Sequence, residues 1–145
     1  MSKKVHPYAH RLGIIRDWKS RWYSPKGEFK KNLKRDVILR EFLDKRLRGM
    51  YVSGVEIERG VKALRIIIKA ARPGLIIGRG GQGIEDLTKA LVSALQELLR
   101  KRGVKNPKVP LSLNIEELKR SEVAAQFIAQ SIAWDVERRL PFRRR

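Results

Sequence analysis

The chain has 145 residues, of which 42% are hydrophobic and 34% charged, with a formal net charge of +19 and no cysteine. Such a chain is long enough for one globular domain, or for one domain with a tail. It is too apolar to be wholly disordered and has no apolar run long enough to cross a membrane. The lack of cysteine excludes disulfide scaffolds, thiolate metal sites and cysteine nucleophiles. The basic excess is concentrated in residues 1–50 and 101–145, which favours nucleic acid over a membrane surface as the partner.

The first 25 residues are predicted to be a basic N-terminal extension rather than a folded element. They show no apolar face of helical period, and Pro7 and Pro25 interrupt any helix. Cationic side chains in such a segment contact phosphates, which gives affinity and register without reading the base sequence. The candidate RNA contacts in this extension are Lys3, Lys4, His6, Arg11, Arg16, Lys19, Arg21 and Trp22.

Trp18, Trp22 and Tyr23 lie among these cations, and the sequence leaves two roles open for them. Aromatic rings between cations can stack on bases, each for about 1–3 kcal/mol. They can also pack against the helix that follows, which is the role we favour for the group. His6 and His10 are four residues apart, but no acidic or thiolate ligand lies near them, so we predict no metal site.

Residues 26–140 are predicted to form a single α+β unit. Helical spacing predicts a helix over 28–48 with an apolar face of Phe29, Leu33, Leu39, Leu43 and Leu47. Alternating apolar residues predict two strands, the first with Val55 and Ile57 and the second with Leu64, Ile66 and Ile68. The four residues 59–62 between them are short enough to join the strands as a hairpin. Ile67 interrupts the alternation, so we expect the outer face of the second strand to be partly covered.

The second half begins with a short helix at Pro73, and glycines follow it. A long helix is predicted over 84–102, with an apolar face of Ile84, Leu87, Leu91, Leu95 and Leu98. A third strand is predicted from Val109 to Glu116, and Pro110 indicates that it lies on an edge. A last helix follows a Ser121 cap, with one stripe of Ala124, Ile128, Ile132 and Val136.

The glycine loop is the candidate ligand-binding feature. Gly78-Arg79-Gly80-Gly81 has the G-x-x-G pattern with which a KH domain clamps four nucleotides. Two alternatives are a plain connection between helices and a dinucleotide fingerprint of Gly78, Gly80 and Gly83. The fingerprint lacks its preceding strand and its later acidic residue. The order helix, strand, strand, helix, G-x-x-G, helix, strand resembles the type II KH fold, with a three-stranded mixed sheet packed against helices.

Four blocks in order also resemble the bacterial ribosomal protein S3 family. They are Lys4–Pro7 with Arg11–Ile14, then Trp18–Trp22, Ala71–Gly78 and Glu137–Arg144. The chain departs from the family pattern at Tyr8–His10 and at Pro141. Family members continue after the last block into a second α/β domain. We therefore expect residues 141–145 to begin a junction, and the chain to be truncated rather than to lack a C-terminal half.

The resemblance implies a structural role in the small ribosomal subunit, with no catalysis, no cofactor and no small-molecule substrate. Members of this family bind 16S-type rRNA in the subunit head, near ribosomal proteins S10 and S14. They help to form the channel through which mRNA enters. The implied location is the ribosome, in a bacterial cytoplasm or an organelle.

The resemblance also implies RNA contacts outside the extension. Arg143 and Arg144 match basic residues that face mRNA, and the further contacts expected are Arg72, Gly78, Arg79, Gly80, Gly81, Arg138 and Arg139. The first alternative function is a free-standing KH factor in transcription or ribosome assembly. The second is a nucleotide-cofactor enzyme, which would need nucleotide at the glycine loop.

Overall fold

The computed structural model describes residues 4–60, 63–100, 110–119 and 124–140. Nine helices and strands are found in these ranges, together with a single 3-10 turn at Arg79–Gly81. In chain order they are α1 (Pro7–Arg11), β1 (Ser20–Trp22), α2 (Lys26–Arg46), β2 (Val52–Arg59), β3 (Leu64–Ala70), α3 (Pro73–Ile77), α4 (Gln82–Arg100), β4 (Leu111–Glu117) and α5 (Ala125–Glu137). The predicted α+β class and the predicted order of the main elements are confirmed.

One mixed sheet organises the molecule, with strand order β1-β2-β3-β4. β2 and β3 form the predicted antiparallel hairpin, β4 runs parallel to β3, and β1 runs parallel to β2. The described sheet thus has four strands, and the prediction of three was wrong. The added strand comes from the predicted extension, because three residues are too short to show a strand period and their partner lies 37 residues away at Ile57.

The segment before β1 also contains a short helix that the sequence did not predict. α1 begins at Pro7, which was expected to interrupt a helix. Proline is tolerated at the first helical position because the N–H that it lacks has no partner inside the helix. The His6 side chain accepts a hydrogen bond from the Tyr8 N–H and so caps this turn.

The core lies between the inner face of the sheet and the helices α2 and α4. Its largest fully buried side chains are Leu39, Leu43, Ile57, Ile66, Ile68 and Leu91. Burial of such side chains supplies about 1.5–3 kcal/mol each against exposure, which is the main stabilising contribution. Ile67 points to the outer face and is only 5% exposed, so its predicted cover is confirmed.

The N-terminal half of α2 differs from its prediction. Phe29 and Leu33 were assigned to the buried face, but both are about half exposed. Asn32 and Asp36 take the buried positions instead. The buried row runs from Leu39 back by steps of three and four residues, which follows the 3.6-residue turn more closely than repeated steps of four.

The later helices follow their predictions in part. α4 buries Leu87, Leu91 and Leu95 as expected, and Leu99 completes its face. The Leu98 side chain, the helix end at 101–102 and the Ser121 cap lie outside what the structure describes. α5 contacts β2, but its stripe of Ile128, Ile132 and Val136 is exposed. Among the described helices, none is long and apolar enough to cross a membrane.

Candidate nucleic-acid interface

The G-x-x-G loop is an exposed turn held in place by a buried residue. Ile76, in α3, is only 3% exposed and belongs to the core cluster. The Gly78 N–H donates to the Gly74 carbonyl at 3.0 Å, which ends α3. A single 3-10 turn over Arg79–Gly81 then leads directly into α4. The core therefore fixes the base of the loop, while its tip faces solvent.

The backbone of this loop requires glycine for reasons of conformation. Gly78, Gly80 and Gly81 have φ angles of 72°, 61° and 82°, a region that other residues rarely adopt. A Cβ atom at Gly80 or Gly81 would meet nothing within 4 Å. The two tip glycines therefore leave open space in which another backbone can approach.

Gly83 has a different role from the three loop glycines, and this difference could not be predicted from the sequence. A Cβ atom at this position would lie 2.4 Å from the Ile76 carbonyl oxygen and 2.9 Å from that of Ile77. The first turn of α4 thus packs directly against the backbone of α3. In the sequence Gly83 appeared only as part of a fingerprint, because a close approach between two helices leaves no local pattern.

Two cations stand beside the loop. Arg79 is exposed at its tip, in the part of the loop that can meet a ligand. Arg72 precedes α3, and its guanidinium lies 5.2 Å from the centroid of the Tyr51 ring. The ring of Tyr51 also contacts Phe127 and Trp134 of α5, with centroids 5.5 Å and 5.3 Å away. Arg72 is therefore partly held by an aromatic cluster, whereas Arg79 is free to turn toward a phosphate.

The described cations of the N-terminal segment are mostly exposed to solvent. Lys4, Arg11 and Arg16 all face solvent. Arg11 also donates to the Pro7 carbonyl at 2.9 Å, and the Lys19 ammonium lies 5.4 Å from the centroid of the Tyr8 ring. His6 is exposed as well, although its Nδ1 atom accepts the capping hydrogen bond.

Arg21 points instead to the outer face of the sheet. Its guanidinium forms ion pairs with Glu56 and Glu58 at 2.9 Å each, and with Asp17. Burial alone lowers the pKa of Arg21, but the three carboxylates together raise it above its ordinary value. Arg21 is thus charged at every pH at which proteins fold, and the structure gives it partners inside the chain.

Trp22 lies in the packing environment that we favoured for the aromatic group. Its indole N–H donates to Asp36 at 2.6 Å, and its ring lies 5.3 Å from that of Phe29. Arg59 donates to the other oxygen of Asp36 at 2.6 Å. Trp18 and Tyr23, by contrast, are mainly exposed.

The predicted RNA contacts fall into separate regions of the surface. α3 and α4 both contact β4, which is one edge of the sheet, whereas β1 is the opposite edge. Arg138 and Arg139 are exposed directly after α5. The remaining candidates, Lys3, Arg143 and Arg144, lie outside the described residues.

The loop does not have the surroundings of a dinucleotide site. The glycines of that fingerprint should connect a strand to a helix, so that the pyrophosphate meets the helix N-terminus. Here Gly78 follows the helix α3, and the exposed side chains of Glu85 and Asp86 stand in the first two turns of α4. In the described ranges there is also no group of three acidic or histidine side chains that could hold a metal ion.

Comparison with known proteins identifies the unit around the loop. The family profile described as KH domain matches residues 38–123, which run from α2 past β4. The chain belongs to the KH domain family. This KH domain contains the hairpin, the G-x-x-G loop and the long helix α4. The predicted KH fold is thus confirmed, with β1 added at its edge.

The chain is also similar to curated relatives that carry the name small ribosomal subunit protein uS3. It is 46% identical to those of Ralstonia pickettii and Ralstonia nicotianae over 144 residues, which is 99% of this chain and 50% of theirs. It is 41% identical to that of Clostridium botulinum over 99% of this chain and 60% of the relative. The chain thus spans about half the length of these relatives. The resemblance to the ribosomal protein S3 family is confirmed along its whole length.

Proposed function

We propose that this KH domain chain is a structural, RNA-binding component of the small ribosomal subunit and not an enzyme. The observation that carries the proposal is the extent of the similarity to uS3 proteins, which covers 99% of the chain. It therefore includes the N-terminal segment and α5, which lie outside the KH profile. A free-standing KH factor would share the KH unit without needing these flanking parts.

The geometry supports a grip on the sugar–phosphate backbone rather than a reading of bases. Gly80 and Gly81 leave room for a close approach, and Arg79 adds a cation at the tip. The exposed cations Lys4 and Arg11 can add phosphate contacts at the other edge of the sheet. Such contacts give affinity and position, which is what a structural ribosomal protein requires.

We place the chain on 16S-type rRNA in the subunit head, in contact with the channel through which mRNA enters, and beside ribosomal proteins S10 and S14. In this arrangement Arg143 and Arg144 hold an mRNA strand that the ribosome moves, without chemistry of their own, and Arg138 and Arg139 add RNA contacts. The location is the ribosome of a bacterial cytoplasm or an organelle.

Sedimentation of the tagged chain from a lysate at low and at moderate salt tests the ribosomal role. We expect the chain to migrate with the small subunit and to stay there at moderate salt. A purely electrostatic association with any RNA would dissociate as salt rises. Recovery in the light fractions at both salt concentrations would contradict the ribosomal role and favour the free-standing factor.

A further inference from the structure

The strand β1 is attached to the KH domain by a side chain from the middle of α2. The Arg40 guanidinium donates to the Lys19 carbonyl at 2.7 Å and to the Ser20 hydroxyl at 2.9 Å. Its other nitrogen donates to the Val55 carbonyl of β2 at 2.7 Å. One planar group thus joins the helix, the added strand and the strand beside it.

The hydrogen bonds of Arg40 are made where the chain enters β1. The Lys19 carbonyl also accepts the Ile57 N–H at 3.0 Å, a backbone bond between this segment and β2. Arg40 and Ile57 therefore share an acceptor. Removal of the Arg40 guanidinium weakens the attachment at the point where the exposed basic segment, residues 4–19, leaves the sheet.

Two further interactions hold β1, but they differ in kind. Arg21 forms ion pairs on the outer face of the sheet, and Trp22 reaches Asp36. Both residues belong to the strand itself. Arg40 belongs to the KH domain, within the matched residues 38–123, and it binds mainly to backbone oxygens.

We infer that Arg40 is a positioning residue for RNA binding, which holds the basic segment 4–19 in a fixed place against the KH domain. The inference rests on the proposed function. A segment that is already placed loses little conformational freedom when RNA binds, whereas a loose segment must be ordered at that moment. Arg40 thus keeps the cations of the segment in a fixed position at the β1 edge of the sheet, the edge opposite β4.

Arginine is the side chain that this geometry requires. Its planar fork donates to the Lys19 and Val55 carbonyls at once, with both distances at 2.7 Å. A lysine carries one compact ammonium on a flexible stem and cannot reproduce that fork. Arg40→Lys should therefore keep the charge and lose most of the positioning.

The test is a double-mutant cycle on the full chain, with 16S rRNA as the probe at about 0.15 M salt. One variant is Arg40→Gln, and the other neutralises Lys4, Arg11 and Arg16 to Gln. Each alone should weaken binding by about fivefold to tenfold, because each removes the contribution of the same segment. Together they should weaken binding hardly more than either one does. Arg46→Gln, which removes an exposed charge from the same helix, is the control and should change affinity less than Arg40→Gln.

Amide hydrogen exchange provides a readout that does not depend on RNA. Exchange at Ile57, whose N–H donates to Lys19, should accelerate in Arg40→Gln, while exchange at Ile66 in the core stays unchanged. Should Arg40→Gln fail to fold, the same cycle and exchange measurement are made with Arg40→Lys.

The possible results separate the inference from the proposed function. Additive effects of the two changes, or an Arg40 variant that binds as tightly as the wild type, would overturn the role of Arg40 while leaving RNA binding intact. Unchanged affinity in the variant that neutralises Lys4, Arg11 and Arg16 would also overturn the role of Arg40, because the segment would then contribute nothing to RNA binding that Arg40 could position. A wild-type chain that does not bind rRNA would overturn the proposed function itself.

Discussion

Gly78, Gly80, Gly81 and Gly83 look alike in the sequence, but the structure gives them three different roles. Gly78 has a positive φ with ψ near 180°, a conformation open almost only to glycine, and it ends α3. Gly80 and Gly81 turn the tip of the loop through open space. Gly83 has no unusual φ, but it lets α4 approach the backbone of α3. Loop chemistry could be predicted from the glycine spacing, whereas this close approach could not.

Gly83→Ala should destabilise the KH domain. The added methyl group would lie 2.4 Å from the Ile76 carbonyl oxygen, so the two helices must move apart. We expect a decrease of about 1–3 kcal/mol in the free energy of unfolding, as for other overpacked sites. Urea denaturation measures it, and Gly27→Ala in α2, where a Cβ meets nothing within 4 Å, is the control. Equal stability of the two variants would contradict the close approach.

At the scale of the elements, α2 shows why part of the fold escaped prediction. The Leu39, Leu43 and Leu47 face was predicted from its spacing and is buried. The same face continues through Asn32 and Asp36, which are polar and gave no apolar signal. Their burial depends on partners that are distant in sequence. A pattern within one helix contains no information about such partners.

Asp36→Ala should cost much more stability than removal of an exposed carboxylate. The Asp36 side chain is 4% exposed and accepts hydrogen bonds from Trp22 and Arg59. Its removal leaves a mostly buried guanidinium without its counter-ion, a change worth about 3–5 kcal/mol. In Glu85→Ala, which removes an exposed ion pair with Lys89, the change should stay below about 1 kcal/mol. Comparable decreases for both variants in urea denaturation would refute the role of Asp36.

The strand β1 and the packing face of α5 are two further features that could not be predicted from the sequence. A three-residue strand has no detectable period. Besides its backbone pairing with β2, side-chain contacts of Arg40, Arg21 and Trp22 hold it in place. In α5 the regular stripe of Ile128, Ile132 and Val136 is exposed. The contacts of that helix are made by Phe127 and Trp134 against Tyr51. The spacing of the apolar residues predicted the helix correctly, but it did not indicate which face of the helix packs against the domain.

At the scale of the whole molecule, the order of the elements was enough to predict the KH fold. The hairpin, the short helix, the glycine loop and the long helix each had local signals, such as the helix start at Pro73. The sequence did not show how the basic regions are arranged. The structure places α3 and α4, the helices that flank the G-x-x-G loop, against β4 and the N-terminal segment next to β1, and these two strands are the opposite edges of the sheet.

This arrangement predicts two separable contributions to RNA binding, and salt dependence distinguishes them. Neutralising Lys4, Arg11 and Arg16, which are exposed at the β1 edge, should make the dependence of log affinity on log salt less steep. The slope should fall by about 0.7–0.9 for each phosphate that the variant no longer neutralises. Substitution is preferable to deletion, because β1 is part of the sheet. Lys89→Gln, beside Glu85, is the control, and a triple variant with the wild-type slope would show that the segment does not bind phosphates.

The most direct test of RNA binding at the G-x-x-G loop compares Gly80→Asp with Gly80→Asn. Both side chains tolerate the left-handed backbone of this position, and both meet open space, so any backbone strain is shared. They differ in one negative charge at the point where we place a phosphate. We measure the affinity of each variant of the 145-residue chain for single-stranded RNA. The aspartate variant should bind at least about fivefold more weakly than the asparagine variant, because a unit charge about 4 Å from a phosphate costs roughly 1 kcal/mol even in water. Equal affinities in two folded variants would contradict RNA binding at this loop.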